Sequence, residues 1–174
     1  ARRYKDVVLC GHAMGGAIAL LYALRYPEEL KGLILMGTGA RLHVHPDYLE
    51  RCRQPGPDNT KWLAGYMKAF KGVATEMHSV LSQRAVELGP EVELNDLLAC
   101  DSFDVMDQLG QINLPTQVLC GSEDVMTPVK YADYLTKHMQ NAQKTVIEGG
   151  THFVQMEQYK TVNEEIEHFM ASLK

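Results

Sequence analysis

The chain is 174 residues long, enough for one domain with a real core and too short for two comfortable ones. At 45% hydrophobic and 22% charged it reads as globular rather than disordered, and a net charge of −5 gives no reason to expect nucleic acid or an anionic membrane as partner. Its longest apolar stretch, Ala17 to Leu24, falls far short of the roughly 20 residues of a membrane span, and no basic n-region with an apolar core opens the chain.

Val7 to Cys10 reads as a buried parallel strand between Asp6 and Gly11, followed by a helix from Met14 to Tyr26 that Pro27 ends. Leu33 to Met36 is a second buried strand, closed by Gly37-Thr38-Gly39. From Leu42 to Gln111 there is no strand signal, and the helical pieces are broken at Pro46, Pro55-Gly56-Pro57, Gly72 and Gly89-Pro90. An insertion of that size is larger than a simple crossover and has the character of a helical cap or lid. Thr116 to Cys120, after Pro115, is a third strand, and Thr145 to Ile147 a fourth. Helices from Pro128 to Met139 and from about Glu157 to Leu173 follow them. The expected fold is α/β, a parallel sheet of about four strands with flanking helices and a helical cap insertion. Residues 1–40 and 112–174 form the sheet core, and residues 41–111 the insertion.

Cys10, Cys52, Cys100 and Cys120 are scattered, with no Cys-x-x-Cys pair. That argues against a disulfide framework or a zinc site, and reduced thiols fit a cytoplasmic location.

The first strand runs into Gly11-His12-Ala13-Met14-Gly15-Gly16 and a helix of small residues. Strand, sharp turn and helix in this order present a nucleophilic serine in Gly-x-Ser-x-Gly proteins, but the third position here is Ala13. Gly11 and Gly15 stand two residues either side of it, where small residues avoid clashes, and Gly16 and Ala17 let the helix pack closely. Taken alone, the motif also reads as the Gly-rich strand-to-helix turn of an ordinary doubly wound domain, of the kind that can bind a phosphate.

A serine nucleophile needs a base to take its proton and a carboxylate to orient that base. After the third strand comes Gly121-Ser122-Glu123-Asp124-Val125-Met126-Thr127-Pro128, and after the fourth Gly149-Gly150-Thr151-His152-Phe153. Asp124 is the candidate acid and Glu123 its rival. The bland role for Asp124 is to cap the following helix, which Thr127 fits better, with Pro128 at the first helical position. The bland role for His152 is a surface loop histidine, but the preceding Gly-Gly and following Phe153 suggest a shaped pocket. His12 and Phe153 are pocket candidates. His43 and His45 bracket one residue without a nearby third ligand, so no metal or cofactor is expected.

Together these residues resemble the carboxyl-terminal two-thirds of the α/β-hydrolase fold family, nearest in flavour to the small cap-bearing esterases, enol-lactonases and C–C bond hydrolases. The resemblance covers the turn at Ala13, the strand ending in Leu35-Met36-Gly37-Thr38-Gly39, the Asp124 loop and the His152 loop; it is weak from Arg41 to Ala99. It implies that Ala13 holds the nucleophile position, Asp124 is the acid and His152 the base, with the Met14 backbone N–H as one oxyanion-hole donor. The substrate it implies is a small molecule with an ester, lactone, thioester or activated C–C bond.

There are two departures from the family. Ala13 has no attacking oxygen, whether by natural change or by an introduced Ser→Ala. About four strands, and the loop carrying the second oxyanion donor, normally precede the nucleophile strand. Here only Ala1 to Asp6 do. The polypeptide as written is therefore expected to be inactive. Val7 to Cys10 is expected to be an open edge, covered by an amino-terminal segment of the same protein or by a homo-oligomer partner. Two other functional classes stay open. One is a serine-independent His–Asp dyad enzyme, such as a lyase or cofactor-free oxygenase; the other is a non-catalytic binding or scaffold protein.

Overall fold

The computed structural model describes Tyr4 and residues 6–173. Four parallel strands, β1 (Val7–His12), β2 (Leu30–Met36), β3 (Thr116–Gly121) and β4 (Ala142–Ile147), lie side by side in chain order. Helix α1 (Met14–Arg25) joins the first pair and α5 (Val129–His138) the second. Between β2 and β3 come α2 (Pro46–Arg53), α3 (Thr60–Met67) and α4 (Thr75–Ser102); after β4 come the short α6 (Val154–Glu157) and α7 (Tyr159–Ser172).

The two central strands are apolar almost throughout because both faces of the sheet are covered. Ile34, Met36 and Leu119 pack with Ile147, Val154, Val162 and Phe169 beneath α7. Alternation sends Leu33, Leu35, Val118 and Cys120, all buried, to the other face, where α1 and α5 pack. Right-handed crossovers stepping in one direction put α1 and α5 on that shared face.

The strands extend past the apolar runs that mark them in the sequence. β4 begins three residues before Thr145, because an edge strand can carry exposed Gln143 and Lys144. Pro128 is the cap of α5 rather than its first residue, and Thr127 does not cap the helix. The last helix is broken at Gln158 (φ −125°), whose side-chain amide donates back to the Glu148 carbonyl.

The chain divides into two compact units, residues 1–42 with 104–174, and residues 43–103. The helical unit lies within the insertion expected at residues 41–111. Arg41 bridges to Asp104 within the sheet unit, and the turn Met106–Gln111 belongs there too. The 43–103 unit is wholly helical and has its own small core of Cys52, Trp62 and Ala85, lined by Leu63, Tyr66, Leu94 and Leu97. α4 is kinked at Gly89 (φ 79°), just before Pro90. Glu93 holds this core together by accepting from Trp62 Nε1, Arg51 and the Cys52 thiol. Arg51 and Glu93 side chains are only 15% and 16% exposed, so removing one strands the other.

Trp62 is the only tryptophan and so reports on this unit alone. Glu93→Ala should lower the stability read by Trp62 fluorescence in urea by about 3 kcal/mol. An unchanged midpoint would show that the Glu93 cluster does not hold the helical unit.

Candidate active site

Parallel strands end at one edge of a sheet, so the residues after β1, β3 and β4 share that edge. Ala13, between β1 and α1, has φ 50° and ψ −117°, a conformation that costs a non-glycine residue about 1–3 kcal/mol. The turn is held from both sides. Its N–H donates to Met36 O at 3.0 Å, and Thr38 Oγ1 donates to its carbonyl at 2.8 Å. Met14 is the first residue of α1, where a backbone N–H has no helical acceptor. Of the two flanking glycines only Gly11 is sterically required. A Cβ there would lie 2.2 Å from Gly15 O, whereas one on Gly15 meets nothing within 4 Å.

The loops after β3 and β4 are stitched together. Ser122 N donates to Ile147 O at 2.9 Å, Glu123 N to Gly150 O at 2.9 Å, and Gly149 N to Ser122 Oγ at 2.8 Å. Within them His152 Nδ1 lies 2.9 Å from Asp124 Oδ2, both side chains buried. Glu123 is exposed and makes no such approach. Asp124 Oδ1 also accepts from the Met126 and Thr127 amides at 2.8 Å each, and Oδ2 from Thr127 Oγ1 at 2.7 Å. Burial alone would raise the Asp124 carboxyl, but the His152 bond and charge, with the Thr127 donors, outweigh it and hold the group below its ordinary range.

His12 and Phe153 lie beside this pair. The His12 ring centroid is 4.8 Å from that of His152 and 5.3 Å from that of Phe153. His12 Nε2 is bonded to the His152 carbonyl at 2.8 Å, which turns this nitrogen away from any ligand. Burial first, then the neighbouring His152, lower His12 to about 4. His43 Nδ1 sits 3.2 Å from Asp101, and His45 Nδ1 accepts from the Asp47 amide at 3.3 Å. Among the described residues no three His, Cys, Asp or Glu side chains are grouped to hold a metal, and no helix is long and apolar enough to cross a membrane.

Thr127 and Thr38 were not read as site residues from the sequence. Thr127 stands three after Asp124, a spacing at which hydroxyl and carboxylate bond locally, but Thr before Pro128 also fits a helix cap, and that pattern masks the bond. Thr38 belongs to the strand end that carries the resemblance, but nothing in that run of residues points to its bond with Ala13.

A parallel sheet whose first strand turns through a strained residue into a helix has the architecture of the α/β-hydrolase fold. Comparison with known proteins agrees. Residues 1–159 match the family described as serine aminopeptidase, S33 (Hydrolase_4), and the chain belongs to that family. It is 34% identical to a solved thermophilic esterase, with a TM-score of 0.86, covering 97% of this chain and 67% of that one. It is also 24% identical to a pimeloyl-[acyl-carrier protein] methyl ester esterase of Neisseria meningitidis, over 83% of this chain and 61% of that protein. A 2-hydroxy-6-oxo-6-phenylhexa-2,4-dienoate hydrolase of Comamonas testosteroni is 28% identical, over 89% and 59%. The chain thus spans about three-fifths of the length of the curated relatives it matches.

The His12 environment has a consequence for stability. Its folded value of about 4 lies below the ordinary 6.5, so as pH falls the unfolded chain takes up this proton first. Stability should decline between about pH 6.5 and 4, by at most about 1.4 kcal/mol per pH unit from this group. The Asp124 contribution, from a depressed carboxyl, is lost only as pH falls further. Urea midpoints at pH 7 and 5 should differ less in His12→Gln than in the parent; an equal drop in both would exclude His12 as the titrating group.

Proposed function

We propose that this chain carries the core of a serine-hydrolase site for small ester-like substrates, including lactones, thioesters and activated C–C bonds, with Ala13 at the nucleophile position. The observation that carries the reading is the pairing of His152 with a buried Asp124 on the edge where the strained Ala13 turn also lies. Asp124 orients the imidazole, and Nδ1 is committed to that bond. Nε2 is then the nitrogen left to take a proton from a nucleophile and return it to a leaving group. The Met14 N–H is one donor to the oxyanion. Glycine-like strain at an alanine is unrewarded unless a side chain must be presented there. The names of the relatives, a methyl ester esterase and a dienoate hydrolase, support the substrate class. Without an oxygen on Ala13 the chain is inactive in this chemistry. No cofactor is required by it, and four free cysteines fit a cytoplasmic setting.

We also propose that further polypeptide covers β1, as an amino-terminal segment of the same protein or a second copy. Among the described residues β1 pairs only with β2. Its Val7, Val8 and Leu9 are half-buried with no charged residue among them, and Ile18 and Leu21 of α1 are 56% and 50% exposed. β4, the other edge, is by contrast guarded by Lys144, which pairs with Asp133.

A second reading follows from the dyad alone. A buried, oriented imidazole can abstract a substrate proton without any serine, as a lyase or cofactor-free oxygenase does.

Ala13→Ser, in the full-length protein, should gain labelling by a fluorophosphonate and hydrolysis of an activated short-chain ester. His152→Gln in that background should cost at least about a thousandfold in kcat. Hydrolysis indifferent to His152 would exclude the mechanism, and turnover by the Ala13 form would favour the serine-independent reading.

A further inference from the structure

Asp124 orients the His152 ring, but the backbone that carries the ring is held by a different side chain. We propose that His12 is a positioning residue, whose Nε2–H bond to the His152 carbonyl sets the distance between the turn at Ala13 and the His152 imidazole. The inference rests on reading His152 as the base.

His12 ends β1 and is covalently next to Ala13. A carbonyl can only accept, so the 2.8 Å contact assigns the proton to Nε2 of His12. From Ala13 to the His152 backbone the path is then one peptide, one side chain and one hydrogen bond. The other ties of the His152 loop lead elsewhere: Glu123 N and Ser122 Oγ belong to the β3 loop, and Thr151 bonds to Glu157 of α6. His12 thus links β1 to that loop. Its ring is set against both His152 and Phe153.

The end of β2 makes room for this arrangement. Gly37 has φ +48°, and a Cβ there would stand 3.4 Å from His12 Nε2, His12 Cδ2 and Asp124 Oδ2. Two groups that act on His152, one through its ring and one through its backbone, thus meet over the same glycine. Burial and the nearby His152 keep His12 uncharged near neutral pH, against the smaller opposing pull of its own bond and of Asp124. Only one of the two adjacent imidazoles then takes up the proton moved in turnover. Placement at this scale matters, since a misplacement of about 1 Å costs on the order of a hundredfold in rate.

Two substitutions separate the bond from the ring. His12→Gln keeps an amide donor of similar reach and loses the ring; His12→Phe keeps a ring and loses the donor. In the chain as it stands, with Ala13, the His152 imidazole is followed by 15N NMR, assigned against His152→Gln. The Gln variant should show one sharp set of His152 signals near the parent shifts, and the Phe variant signals that are shifted, split or broadened. In the Ala13→Ser protein, His12→Phe should lower kcat by about 10- to 100-fold with KM within about twofold, and His12→Gln should recover most of it. The reverse order, Phe retained and Gln lost, would overturn the proposal in favour of ring packing, and so would parent-like His152 signals in both. If Ala13→Ser hydrolyses nothing, the hydrolase reading fails while the NMR comparison still decides the role of His12. If His12→Phe does not fold, His12→Met, apolar and donor-free, takes its place.

Discussion

A carboxylate left 4% exposed at the rim of a sheet has lost its water, and an ionised group in that position is tolerated only if its lone pairs are met from within. Asp124 is met by four donors: two backbone amides and one hydroxyl from the turn that follows it, and one imidazole from another loop. Three of the four come from residues 126 and 127, so the turn before α5 takes its shape from this anion. The fourth fixes where the β4 loop must sit. The loop-to-loop bonds at Ser122, Glu123 and Gly149 run parallel to it, so moving His152 disturbs the whole rim.

The same demand explains why Thr127 is not a helix cap. A hydroxyl can satisfy an orphan helix amide for about 1 kcal/mol, but a hydrogen bond to a buried charge is worth more, roughly 1.5–3 kcal/mol. The charge wins, and the cap position of α5 falls to Pro128, which has no side chain to bond a helix amide. A sequence pattern in which Thr precedes Pro at a helix start cannot reveal that competition, because the competing anion becomes demanding only when folding buries it.

Other features were legible because they are local. The three strands with continuous apolar runs, β1, β2 and β3, announce themselves, as does the turn at Ala13, where glycines and small residues cluster. The order of Asp124 and His152 along the chain places both at the sheet edge without further information. β4 is half-hidden because its first residues alternate with solvent at an exposed edge. The bridge that brings Arg41 and Asp104 together at the two ends of the insertion joins residues more than sixty positions apart in the sequence. The role of Thr38 is equally long-range, since its bond is to a backbone carbonyl 25 residues away. His12 was visible as a neighbour of the turn, but the direction of its ring was set by a loop that only the assembled sheet brings near.

Two costs are present at the site together. Ala13 adopts a strained turn of about 1–3 kcal/mol, and burial acts against the charge on Asp124 throughout. Neither is needed to hold the sheet, whose core lies in the apolar residues between the helices. A binding pocket that had no use for a base could relax both, by a glycine at position 13 and by a neutral residue at 124. A proton-abstracting dyad would have reason to keep Asp124 but none to keep the strain at 13. Retention of both supports a site organised around an atom presented from residue 13, and alanine differs from serine by that one oxygen.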